Sequence, residues 1–147
     1  MGVVVARTQT AAVLAALTTA GLNAAVGREP ANSGWTNAPG QSTFRPYAVV
    51  WPVPGGSTDG TLAHPDEDAQ SLYQVTGVGS TVEQAEWVAD VARIALLAPG
   101  AVEITDPSDT RVVQTVTIDT LGGCRRDDDV DPAVWITADR FRVLSTP

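Results

Sequence analysis

The segment "GGCRRDDDVDPAVW" (122–135) sets Arg125 and Arg126 against Asp127, Asp128, Asp129 and Asp131. Carboxylate oxygens at that density suit a hard cation such as Ca²⁺ or Mg²⁺. An EF-hand loop, however, needs a central glycine and a closing bidentate glutamate, and here Pro132 and an apolar run follow instead. The spacing therefore predicts a solvated acidic turn paired locally with the two arginines. A charged subunit contact is the second reading, and a metal site ranks below both.

Cys124 adjoins the arginines, a setting that would lower a thiol pKa and favour a nucleophile. A nucleophile also needs a base, and the single histidine, His64, sits in a Pro-flanked segment with nothing in the sequence to bring it near. One cysteine and one histidine exclude a structural zinc site built on them, and no intramolecular disulfide can form. Acids are numerous, yet no two are marked out as a glycosidase-like pair. All nine basic residues are arginine, so neither a P-loop lysine nor a Schiff-base amine is available. The Gly-rich "PVPGGSTDG" reads as a loop. We expect no catalytic residue, no cofactor and no resident metal.

Elements able to position these groups are legible from periodicity. Residues 8–20 have helical spacing, with Val13, Leu14, Ala16, Leu17 and Ala20 on one broad face, Thr8, Thr18 and Thr19 opposite, and Gly21 as the stop. A strand-like start precedes this helix, and a short strand is expected within 22–27. Residues 28–44 and 55–68 lack periodicity and read as long polar loops. "YAVVWPVP" (47–54) is an apolar strand whose Pro52 belongs at a sheet edge or past the ladder. "QSLYQVTGVG" (70–79) and "AVWITADRFRV" (133–143) alternate as strands do, and another strand centres on 111–119 before the Gly122-Gly123 turn.

In "STVEQAEWVADVARIALLAPG" (80–100), Ser80/Glu83 and Thr81/Gln84 both have capping-box spacing. Glu83, Glu86, Asp90 and Arg93 form a narrow polar stripe, leaving an apolar arc wider than one sheet face covers. Either a second helix or loop packs on its flank, or Trp87, Val91 and Ile94 meet another subunit. The whole is a single α+β domain, a largely antiparallel or mixed sheet with two main helices on one face.

A net charge of −8 over 147 residues, with the arginines scattered from Arg7 to Arg142, makes nucleic acid a poor main partner. No stretch approaches the ~20 apolar residues of a membrane span.

Three segments carry a family resemblance: "PYAVVWPVPG", "YQVTGVGSTVEQAEWVADVARIAL" and "RRDDDVDPAVWITADRFRV". Together they resemble the tail terminator (tail completion) proteins of long-tailed bacteriophages, of the type infecting high-GC actinobacteria, with which a lysine-free, Ala/Arg-rich composition agrees. The resemblance runs from Thr8 to Leu144, with a 28–44 loop longer than the family pattern. It implies a virion protein at the head-proximal end of the tail, assembled in the host cytoplasm. It also implies a homohexameric ring that caps the major tail tube protein, ends polymerisation and meets a head-completion or connector protein, while DNA passes through its lumen. Trp87, Val91 and Ile94 would be one half of the subunit contact, and Arg125, Arg126, Asp127, Asp128, Asp129 and Asp131 the other. The alternatives are a head-completion, stopper or adaptor protein, a free binding module whose long loops capture a ligand, and a small metal-dependent hydrolase using Asp127–Asp131.

Overall fold

Small and apolar residues spaced three and four apart form helix α1, Ala6–Thr19. The structure, a computed structural model, describes residues 6–37, 43–61 and 64–147, so the strand-like start expected before α1 lies outside the described residues. The helix stops at Gly21, whose φ of 94° suits a residue without Cβ. The Gly21 amide donates to the Thr18 carbonyl at 3.0 Å and the Leu22 amide to the Leu17 carbonyl at 3.2 Å, the paired bonds of a Schellman stop. One expectation fails here. Thr8 lies on the buried row with Gln9, Ala12, Val13, Ala16 and Leu17, because its hydroxyl is satisfied by the Asp109 carboxylate, while Ala20 is exposed.

The sheet runs β1 (Ala24–Val26), β4 (Tyr47–Thr61), β5 (His64–Gly79), β8 (Val134–Thr146) and β6 (Val112–Thr120), with β7 (Cys124–Asp127) also on β8. Among the described strands only β1–β4 is parallel, so the architecture is α+β with a mixed, mainly antiparallel sheet. Two short strands, β2 (Gly34–Trp35) and β3 (Phe44–Arg45), pair within the expected 28–44 loop, whose residues 38–42 lie outside the described residues. Within 55–68, residues 55–61 and 64–68 are strand rather than loop, and 62–63 lie outside the described residues. Ser57↔Gln70, Thr58↔Ala69, Asp59↔Asp68 and Thr61↔His64 make these strand segments the outer half of the β4–β5 hairpin. Residues 54–58 are all exposed, so no face imposed an apolar alternation that periodicity could detect.

Helix α2 (Val82–Leu97) links β5 to β6. Thr81 is its N-cap and accepts from the Gln84 amide at 3.2 Å; Gln84 Oε1 in return accepts from the Ser80 amide at 2.9 Å, one residue before the usual capping-box donor. Thr81 and Gln84, not Ser80 and Glu83, thus form the cap.

Both helices pack on one face. Ala12, Val13, Ala16 and Leu17 from α1, Val88, Ala92 and Leu96 from α2, and Val50, Tyr73, Val75, Phe141 and Val143 from the sheet share one core. Large apolar side chains of this kind contribute about 1.5–3 kcal/mol each when fully buried. On the opposite face, the β2–β3 ladder lays Trp35 and Phe44 over Tyr47, Val78, Val134 and Ile136. Trp35 meets Phe44 edge-on at 5.2 Å, and burial followed by the Glu29 charge pushes the Tyr47 phenol up to about 12.

The two edges of the sheet differ. Among the described residues, β1 covers β4 at Ala48–Val50 and no strand lies beside the outer edge of β4 from Trp51 onward. The Ala48 amide donates to Asn23 and the Val50 carbonyl accepts from Gly27, so even-numbered residues of β4 point their backbone groups outward there. Pro52, of the same parity, removes a donor from that edge, and Pro54 lacks one beside it. The other edge is β6 running into β7, both antiparallel to β8 and joined by a kink at Leu121–Gly123. A Cβ on Gly122 would stand 1.8 Å from the Ala138 carbonyl oxygen, so only glycine fits.

Candidate interface on helix α2 and the β7 turn

The buried stripe of α2 is Ala85, Val88, Ala89, Ala92 and Leu96. Opposite it, Trp87 is 50% exposed and Ile94 73%, one heptad apart on the solvent side. Val91 is half-buried against the main core, so of the three apolar candidates two remain at the surface. Asp90 and Arg93 lie beside this ridge, joined at 3.1 Å.

Arg125 and Arg126 belong to β7, and Asp127 pairs with Val134 to open a tight connection to β8. Arg126 Nε meets Asp128 Oδ1 at 2.8 Å, with both side chains largely exposed; such a pair contributes little to stability. Asp127 Oδ1 accepts from the Asp129 amide at 3.0 Å, an Asx-type turn. Arg125, Asp128, Asp129 and Asp131 are exposed, and the Asp131–Pro132 peptide is cis. The acid cluster is thus a solvated turn held by its own backbone and Arg126. Among the described residues no three His, Cys, Asp or Glu side chains gather as a metal ligand set. Helix α2 packs against β7, and no hydrogen bond or ion pair between described residues joins the turn to the Trp87–Ile94 ridge.

Cys124 is partly buried, and its thiol is pushed up, first by burial and then by the Glu86 charge on α2. A raised pKa leaves the thiol protonated and a poor nucleophile. His64 opens β5 in the outer hairpin, where a loop was expected.

Sequence reasoning missed two buried polar groupings. Asp139 is 2% exposed; its Oδ2 accepts from Arg93 Nε at 2.9 Å and its Oδ1 from the Gly122 amide at 3.1 Å. One carboxylate therefore ties α2, β8 and the β6–β7 kink. The signal was present: Asp139 occupies the same alternating row as Phe141 and Val143, where an acid must be buried and paired. The second grouping joins α1 to the sheet ends. Asp109 accepts from the Thr8 hydroxyl and from the Arg111 amide at 3.0 Å, and the Arg111 guanidinium donates to the Ser145 carbonyl at 2.9 Å. Nearby, Gln9 Oε1 accepts from the Ser71 hydroxyl at 2.8 Å and Tyr73 meets Thr10 at 3.1 Å. Burial raises the Tyr73 pKa, and the Thr10 bond partly offsets this. Nothing in the spacing of Asp109 and Arg111 announced their burial.

No protein-family model matches the chain, and no curated protein is significantly similar to it. Among the described residues no helix is long and apolar enough to cross a membrane.

Proposed function

We propose that this chain is a phage virion structural protein that closes into a ring on the head-proximal end of the tail tube. The ring ends tube polymerisation and offers the head-side connector a joining surface, without reaction chemistry. The three segments that resemble tail terminators motivate this reading. The observation that carries it is the Trp87–Ile94 ridge, two large apolar side chains left in solvent on a helix whose other face is fully packed. In a ring, one such patch meets a different patch on the neighbour and the rotation closes. The mixed-charge turn at Arg125–Asp131 would then fix register more than it adds affinity. A net charge of −8 would let DNA pass without adhering.

Purified protein added to growing tail tubes tests this by electron microscopy of tube ends and lengths. The wild type should cap tubes at the length present when it is added. Trp87→Ser together with Ile94→Ser should keep the fold, since both side chains are exposed, and lose capping. Wild-type protein that leaves tube ends bare and lengths unlimited under every assembly condition would end the proposal.

A further inference from the structure

The β6 edge has features that the ring reading does not use. Its sequence, "VVQTVTIDT", contains no proline, lysine or arginine, the residues that commonly blunt an exposed strand. Between register shifts at 113/115 and 118/120, Thr115–Ile118 pairs without interruption with Leu144–Phe141. Among the described residues, no strand lies beside the outer backbone groups of that run.

Exposed apolar side chains concentrate here. Val112 is 51% exposed, Ile118 38% and Leu121 58%, while Leu97 at the end of α2 is 37% exposed. Beside the strand, Leu96, Leu97, Pro99, Val102, Val113 and Val116 help to form a pocket of about 220 Å³, and no charged side chain lines it. An open strand edge alongside a neutral pocket suits strand addition, in which main-chain hydrogen bonds supply affinity and a pocket reads an alternate side chain.

We infer that the β6 edge binds an extended, uncharged segment of another protein as an added strand, with one aliphatic side chain of that segment in the Leu96–Val116 pocket. A second copy of this chain fits less well. Its β4 edge lacks the Pro52 and Pro54 donors, and a two-fold β6–β6 pair centred on Thr115–Ile118 would set Gln114 of each copy against Asp119 of the other, opposing the two irregular positions. The inference stands independently of the ring.

The test uses the full chain and a capped neutral heptapeptide of alternating threonine and valine with a central leucine, carrying a fluorophore. Polarisation titrations should show saturable binding. Amide exchange should slow at Thr115–Ile118 and not along 51–58. Ala101→Phe, which fills the pocket, should weaken binding at least about tenfold, as expected for losing a buried side-chain contact. Of Val116→Pro and Thr117→Pro, one removes an outward donor and should weaken binding similarly, while the other disturbs the β8 ladder. Wild-type exchange data keep the test decisive if either proline variant misfolds. Absence of binding up to about 1 mM, a level corresponding to only ~4 kcal/mol, overturns the inference. So does peptide binding without slowed exchange at Thr115–Ile118. Protection of the same residues that grows with protein concentration and without peptide would reassign the edge to a second copy, and also overturns it.

Discussion

The β4 edge and the β6–β7 edge bound the same sheet and face the same hazard, a row of backbone groups with no strand beyond them among the described residues. They meet it differently. On the β4 side, β1 covers Ala48–Val50 and prolines begin where that cover ends. A missing N–H cannot pair, so this edge is closed by composition at little structural expense. On the β6–β7 side no proline intervenes, and the strand is bent instead. Gly122 presses against Ala138, and the buried Asp139 carboxylate takes the Gly122 amide that a flat ladder would have used. One edge is guarded by residues that can change singly, whereas the other depends on a tertiary arrangement reaching through Arg93 into α2. Edges closed by composition should tolerate substitution. Those shaped by packing should not.

The largest expected effect is on the kink. Gly122→Ala places a methyl group 1.8 Å from a carbonyl oxygen, so β6 or β8 must move; the loss should be roughly 3–5 kcal/mol, read as a lowered urea midpoint. Asp139→Ala leaves Arg93 with Asp90 alone and the Gly122 amide without its acceptor. It should cost about 2–4 kcal/mol, while Asp139→Asn, which retains an acceptor, should cost less. If both Asp139 variants matched the wild type, the packing account of this edge would be wrong.

The opposite edge should respond in association rather than stability. Replacing Pro52 and Pro54 together by Thr restores two donors on an exposed strand. The unfolding free energy should change by less than about 1 kcal/mol, and concentration-dependent self-association should appear in sedimentation. Unchanged association would mean that the β4 edge is protected by something other than its prolines.

The contrast also explains what sequence could and could not reveal. Pro52 announced an edge, and the Thr81–Gln84 cap, Gly21 and the alternation of 133–143 announced elements, because each is a local rule acting on neighbouring residues. Two helices on one face followed from them. The outer hairpin was misread because residues 54–58 bury neither face, and a strand with no buried face has no period. Thr8 was placed on the polar face because the partner that lets it be buried, Asp109, lies 101 residues away in the chain. The candidate interface was half legible. The width of the α2 arc pointed to Trp87 and Ile94 but could not say that Val91 would be half-buried against the core. At Cys124 the sequence allowed either an acidic thiol beside two arginines or a small buried cysteine, and the fold adds burial and Glu86, both raising the pKa.

The smallest predicted effect lies on β6 itself. Asp119, at the second register shift, receives Arg142 at 2.7 Å and the Thr120 hydroxyl at 3.1 Å, and these bonds hold its carboxyl below the usual carboxylate range. A folded-state pKa lower than the unfolded one means that Asp119 adds stability above the unfolded value of about 3.9 and loses it as pH falls through the folded value. Asp119→Asn should therefore lower the urea midpoint slightly at about pH 7, and the two proteins should converge well below about pH 3. The same substitution should speed amide exchange at Ile118 and Thr120 and leave residues 51–58 unaffected, because the pair steadies the bend of one edge only. A midpoint difference that persists unchanged in strong acid would show that the side chain acts there through its shape, and that the bend does not depend on its charge.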